Sequence, residues 1–322
     1  MNIRIVSPSG HIDDQWIDAA KQRLSSFGHT VTEGQFARGS WGRFAATDKQ
    51  RISDLNEAFA DPDVDAILCS RGGYGLQRIL DKIKPTPKLV IGFSDITALH
   101  QLMHTVGVPS LHAIMCKHIA TLPDDSPALQ SFRDTLQKFK VESLKYKEAA
   151  SCTCSDSFEF QSHPLNRYGK TRGVLVGGNL SVLYGLQGTP YGLLPIVSQT
   201  PTPSATHPIL FIEDVGERHY HIDRMMQNLR MSGVLANISG LIVGQFTDCE
   251  EDQGMPSTSA QSGISTSESI YETILRAVKD YDYPVLFDFP AGHVEDNRPL
   301  WLGKEVELEV TPNISRIAYV RE

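Results

Sequence analysis

The sequence predicts an α/β fold: a doubly wound, flavodoxin-like parallel sheet in the N-terminal part, followed by a second, mixed β/α unit. Three observations lead there. Short, mostly apolar runs such as Ile3–Val6, Val64–Cys69 and Leu89–Phe93 are strand-sized and too brief for helices. Single stretches of helical period separate most of these runs, so the strands pair parallel through crossover helices. From about Glu142 to Arg172 the periodicity fades into a polar segment around Glu148–Ser157, and then the alternation resumes. The expected organisation is therefore 1–141 as the first domain, 142–172 as the crossing, and 173–322 as the second domain.

Ile3–Val6 is the first strand. Asp13 to Phe27 is a helix with Trp16, Ala19, Ala20 and Leu24 on one side, stopped at Gly28-His29. Thr30–Thr32 is a short strand, and Gly39–Arg43 a polar loop. A helix from Thr47 carries Ile52, Leu55 and Phe59 and closes at Asp61-Pro62-Asp63. Val64–Cys69 runs into Ser70-Arg71-Gly72-Gly73-Tyr74-Gly75, then a helix over Leu76–Ile83. The strand at Leu89 is followed by a helix over 95–106 and a strand near Pro109–Ile114.

In the second half, Gly173–Val176 is a strand feeding a helix that ends at Gly188. Ile209–Ile212 is a strand ending in Glu213-Asp214, and a helix spans about His221 to Met231. Leu241–Gly244 is a strand, and Asp248–Ser267 reads as a mobile Ser/Thr/Gly insertion. A helix over 269–279, a strand over Val285–Phe289 and the turn Pro290-Ala291-Gly292-His293 follow. Val306–Val310 and Ile317–Val320 are the last strands.

At 322 residues the chain is comfortable as two domains, and 40% hydrophobic with 21% charged residues is an ordinary globular balance. A formal net charge of -8 argues against nucleic acid or an anionic membrane as the main partner. No apolar run is long enough to span a bilayer. Met1–Pro8 reads as a strand entering a turn, not as a signal peptide. Five scattered cysteines (Cys69, Cys116, Cys152, Cys154 and Cys249) form no C-x-x-C pair, so neither a zinc site nor a disulfide framework is expected. A reduced, cytoplasmic setting fits best.

In an open parallel sheet the functional loops lie at the carboxyl ends of the strands. Ser94 stands at such an end, between strand and helix. There it is either the cap of that helix or the nucleophile of an elbow that holds its hydroxyl out of the sheet. Two further strand ends carry Glu213 and His293. A serine hydroxyl needs an imidazole to take its proton and a carboxylate to orient that imidazole, and chain order is not diagnostic of the set. Singly, Glu213-Asp214 could cap the following turn, and His293 is one of eleven histidines.

Arg71–Gly75 lacks the Lys-Ser/Thr of a P-loop and the spacing of a dinucleotide fingerprint. Flexible backbone there suits an oxyanion hole, with Gly72 or Gly73 and the Asp95 N–H as donors. Gly177-Gly178-Asn179 is better explained as a capped helix packed close to its strand. His100 and His104 have metal-pair spacing without the Glu of H-E-x-x-H, and read as a partly buried helix face.

Ser70–Gly75, Gly92–Ala98, Gly177–Leu180 with Gly188-Thr189-Pro190, Phe211–Glu217 with Ile222-Asp223-Arg224, and Gly292-His293 together resemble the LD-carboxypeptidase family of serine peptidases. The likeness runs in order from the first strand to about Gly303. It implies Ser94 as nucleophile, Glu213 as triad carboxylate and His293 as base. It also implies a site at the domain interface, a homodimer, no cofactor, and release of terminal D-alanine from cytoplasmic murein tetrapeptides during cell-wall recycling. Two departures from the family pattern stand out: Val294 follows His293 where many members have glycine, and the 248–267 insertion reads as peculiar to this chain.

An exopeptidase needs a cation for the substrate carboxylate, and Arg71, Lys117 and Arg224 are the candidates. Within the family, the chain also resembles microcin C resistance proteins, which cleave a peptidyl or aminoacyl nucleotide. Such a site should stack an aromatic on the base, for which Trp301 or Tyr220 could serve. A non-catalytic muropeptide-binding protein would not need a base beside a hydroxyl, and a glutaminase-like amidase would want cysteine where Ser94 stands.

Overall fold

The first half folds around a parallel sheet of β1 (Asn2–Val6), β2 (Thr30–Glu33), β3 (Ala66–Cys69), β4 (Leu89–Gly92) and β5 (Ser110–His112). The strand order is β2-β1-β3-β4-β5, the flavodoxin-like order anticipated above. This is a computed structural model that describes residues 1–139, 157–198, 207–249 and 269–320. Every residue of β3, β4 and β5 is buried, and β3 and β4 are accordingly continuous apolar runs instead of alternating ones, while β5 buries the polar Ser110 and His112.

Helices α1 (Asp14–Ser26), α2 (Asp48–Ala60), α3 (Thr97–Thr105), α4 (Cys116–Thr121) and α5 (Pro127–Lys138) accompany the sheet. α1 buries Ile17, Ala20 and Leu24, so its inward stripe is rotated from the one read off Trp16 and Ala19. α2 begins in a capping box between Thr47 and Gln50. The helix expected over 76–83 is instead two 3-10 turns, Leu76–Arg78 and Leu80–Lys82. Between them Ile79, at φ −121° and ψ −5°, departs from helical geometry, while Leu76 N–H, which any helix starting there would leave unpaired, donates to the Asp95 carboxylate at 2.9 Å.

The second sheet is mixed. β6 (Ser157–Gln161), β7 (Gly169–Asn179), β8 (Ile209–Val215), β9 (Gly240–Thr247), β10 (Val285–Leu286), β12 (Glu305–Val310) and β13 (Ile314–Tyr319) lie in the order β10-β9-β8-β7-β12-β13-β6. β7 serves both halves of this sheet: Leu175–Asn179 pairs parallel with β8, and Gly169–Val174 pairs antiparallel with β12. Helices α6 (Leu180–Gly185), α7 (Leu193–Ser198), α8 (His219–Met231) and α9 (Ile270–Ala277) belong to this half. β6 and the start of β7 fall in the stretch read as the crossing. Residues 142–156, and all of the expected insertion but Asp248-Cys249, lie outside the described residues.

One strand was not anticipated. β11 (Leu300–Leu302) leaves the second half and adds antiparallel to β5, completing a first sheet of six strands. The halves also touch through Gly177-Gly178-Asn179. Asn179 caps α6 by accepting from Val182 N, as expected, while its own N–H donates to Thr97 Oγ1 at 2.9 Å. A Cβ on Gly178 would lie 2.4 Å from that oxygen, so the close approach to α3 requires glycine.

Candidate active site

The parallel strands open their carboxyl ends on one rim, and a cavity of about 680 Å³ lies there. His11 and Ile12 reach it after β1, Ser70–Gly73 after β3, Phe93 and Ser94 after β4, and Met115, Lys117 and His118 after β5. From the other half come Val215 and His293. The hydroxyl of the first half and the imidazole of the second therefore face one cleft.

Ser94 follows the extended residue Phe93 and has φ +65°, in the left-handed region. For a residue with a side chain this conformation costs roughly 1–2 kcal/mol. Strained, left-handed backbone of this kind is characteristic of functional turns. The capping alternative does not hold: no side-chain hydrogen bond caps the turn at 94–96 or α3. The Asp95 carboxylate, almost fully buried, instead accepts from Ser9 Oγ (2.5 Å) and Leu76 N. It thereby ties the Ser94 corner to the glycine-rich turn.

Gly72 lies against that corner. A Cβ there would sit 2.7 Å from Ser94 Cβ, 2.9 Å from Ser94 Oγ and 3.2 Å from Asp95 N. Its carbonyl accepts from Gly10 N at 3.1 Å, which holds the turn to the loop after β1. The neighbouring Gly73 has φ +106°. Among the described residues, the N–H groups of Gly72, Gly73 and Asp95 have no protein acceptor. Below the corner, the His100 ring bridges Gly92 O and Ser110 Oγ, and burial pushes its pKa down to about 3. It is a neutral strut, and no metal-binding group of side chains forms with His104 among the described residues.

Glu213 is fully enclosed on β8, where a register shift relative to β9 falls between Ile212 and Asp214. Such irregularities re-aim side chains near functional sites. Glu213 Oε2 lies 2.9 Å from His293 Nδ1. With the proton on Nδ1, that nitrogen donates to the carboxylate and Nε2 is left as the acceptor toward the cleft. Glycines make room for the pair: a Cβ on Gly292 would lie 2.9 Å from Glu213 Oε2, and one on Gly244 3.2 Å from Glu213 Cβ. The Phe93 ring meets His293 edge-on, centroids 4.9 Å apart, and steadies the imidazole from the Ser94 side.

The adjacent carboxylates diverge. Burial alone would push Glu213 up, but His112 and His293 outweigh it and hold the carboxyl down at about 2. Asp214 is pushed up to about 7 by burial and by the Glu213 charge, against the donors Val215 N, Asn179 Nδ2 and Ser181 N. One is a permanent anion aimed at the histidine, and the other is an interior brace.

Of the three cations considered for a substrate carboxylate, Arg71 and Lys117 line the cleft. Arg71 is aimed by donating from Nη1 to His11 O at 3.0 Å. Arg224 does not line it; its guanidinium lies 5.2 Å over the Tyr220 ring on α8. Trp301 is a buried residue of β11 stacked on Phe139. Sequence reasoning missed Trp16 and His118, both of which line the cleft. Burial, helped by Lys117 and His293, pushes His118 down to about 4.

The LD-carboxypeptidase N-terminal domain family matches residues 3–113, and the LD-carboxypeptidase C-terminal domain family matches residues 172–308. A Synechocystis protein named as a carboxypeptidase is 32% identical over 95% of this chain and 91% of its own length. The chain belongs to the LD-carboxypeptidase family. Murein tetrapeptide carboxypeptidase of Pseudomonas aeruginosa is 28% identical over 95% of this chain and 92% of its own. The crystal structure of muramoyltetrapeptide carboxypeptidase from Oxalobacter formigenes superimposes with a TM-score of 0.77 at 26% identity, covering 99% and 98% of the two chains. The microcin C7 self immunity protein MccF shares the LD-carboxypeptidase fold, with a TM-score of 0.75 at 20% identity over 99% of this chain and 96% of its own.

Proposed function

We propose that this LD-carboxypeptidase family member is a serine-type enzyme. It would hydrolyse the bond from the L-centre of a diamino acid to terminal D-alanine in murein tetrapeptides, acting as a cytoplasmic homodimer in cell-wall recycling. The observation that carries the reading is a buried, ionised Glu213 bonded to His293 across one cleft from Ser94 on a left-handed corner.

His293 Nε2 takes the Ser94 proton as Oγ attacks the carbonyl carbon, and Glu213 stabilises the resulting imidazolium. The unpaired N–H groups of the Gly72-Gly73 turn and of Asp95 receive the oxyanion. His293 then protonates the D-alanine nitrogen, the C–N bond breaks, and water releases the acyl group by the same steps in reverse. Arg71 and Lys117 hold the terminal carboxylate.

Mass spectrometry of a murein tetrapeptide incubated with wild type and with Ser94→Ala tests this directly. Loss of one alanine with wild type only is the expected result. Turnover by Ser94→Ala would remove the nucleophile assignment. Inert tetrapeptide combined with hydrolysis of an aminoacyl-sulfamoyl adenosine would transfer the site to the nucleotide substrates of the alternative.

A further inference from the structure

Two buried polar groups beside the triad are left over by this mechanism. His112 ends β5 with no exposed surface, and neither ring nitrogen has a hydrogen-bond partner. Glu213 is equally enclosed; its Oε2 accepts from His293 Nδ1, and its Oε1 has no partner. Buried imidazoles and carboxylate oxygens are seldom left unsatisfied, so each requires an account.

The two belong together. His112 meets Phe211 edge-on, centroids 5.1 Å apart, and Phe211 lies two residues before Glu213 on the same face of β8. His112 and His293 are also the two imidazoles that act on the Glu213 carboxylate. Pairing with Gly92 on one side and Leu300 on the other fixes the His112 backbone.

We propose that His112 is a positioning residue: its ring N–H donates to Glu213 Oε1, so one carboxylate is gripped at both oxygens and Oε2 is presented to His293. The proposal rests on the serine-hydrolase reading above. The other ionisable groups packed around the pair are already placed. His100 on α3 is spent on Gly92 O and Ser110 Oγ. Asp214 is taken by Asn179 and Ser181. His118 and Lys117 on α4 line the cleft, with the His118 ring against Phe93. Without the second donor, Glu213 could rotate and would be the stronger base toward His293, so the imidazolium would persist to higher pH.

The test is covalent labelling of the full chain by an alkyl phosphonofluoridate between pH 5 and 9. Ser94 Oγ bonds to phosphorus, fluoride leaves, and the hydroxyl proton passes to His293. For His112→Ala, labelling should slow by about 10–100-fold, the range for losing an orienting partner. Its acid limb should move up by about one pH unit. His112→Gln, which keeps a donor, should recover most of the rate, and on peptide kcat should fall while KM holds. Failure of wild type to label would overturn the serine-hydrolase reading itself. Labelling of wild type and His112→Ala at equal rate with one pH profile would overturn the role of His112 and leave the triad standing. Should His112→Ala not fold, the wild-type ¹⁵N-histidine spectrum decides: a hydrogen-bonded His112 N–H supports the proposal, and a ring without one overturns it.

Discussion

Gly72 offers the sharpest test of the site geometry, because its backbone would accept a side chain and only its neighbour would not. Its φ is outside the left-handed region, so alanine brings no conformational strain. The new methyl would stand 2.7 Å from Ser94 Cβ and 2.9 Å from Oγ. Carbon atoms prefer about 3.5–4.0 Å, so the corner or the turn must shift by roughly 1 Å. A displacement of that size at a reacting group costs about 10²-fold in rate. Gly72→Ala should therefore lower kcat for D-alanine release about a hundredfold with KM nearly unchanged and Tm lowered by only a few degrees. Gly73→Ala is the control. Its Cβ meets nothing closer than 3.7 Å, but its φ of +106° strains any side chain. It should lose about 1–2 kcal/mol of stability and keep the larger share of activity. Both are read by steady-state kinetics on a murein tetrapeptide and by thermal melts. A Gly72→Ala enzyme with more than half of wild-type kcat would refute the account of the corner.

Three further outcomes follow from the same geometry. Glu213→Gln replaces an anion held near 2 by a neutral amide that can present N–H to His293 Nδ1; the wrong tautomer should cost about 10⁴ in kcat, measured under substrate saturation. Arg71→Ala and Lys117→Ala should each raise KM for tetrapeptide more than they lower kcat, whereas Arg224→Ala should leave both nearly unchanged. Asp214 has its folded pKa raised from 3.8 to about 7, so the native state holds a proton that the unfolded chain releases. Its contribution is therefore favourable below about pH 4 and is lost as pH rises toward 7, and Asp214→Asn should flatten the decline of Tm across that window.

What could be read in the chain was whatever depended on neighbours in sequence. The runs at Val64 and Leu89 are largely apolar because both faces of a central parallel strand are covered, so they announced themselves. Leu300–Leu302 did not: three residues become a strand only because β5 leaves an edge open for them, a fact of tertiary structure. The span 76–83 has helical spacing, yet Ile79 leaves helical geometry at φ −121° and splits it into two short turns. Ser94, Glu213 and His293 were legible as residue types near strand ends, but that Ser94 and His293 face one cavity with Glu213 buried behind the imidazole depended on how the halves meet. Arg224 belongs to a matching motif, but its guanidinium is committed to Tyr220. His112 looked like any of eleven histidines, and only its enclosure against Phe211 distinguishes it.

The return of β11 to the first sheet makes the two halves one mechanical object. The segment bearing His293 is clamped upstream, where Gln245 N binds Ala291 O, and downstream, where Leu300 pairs with His112. His293 is thus slung between both sheets like a bridge deck between piers, and the halves cannot swing apart without unzipping the far edge. A fragment ending at 141 would leave the outer rim of β5 bare, a sticky ledge for other copies. Cutting this protein into separately expressible pieces should yield aggregates on that side and a slack, unanchored imidazole on the other.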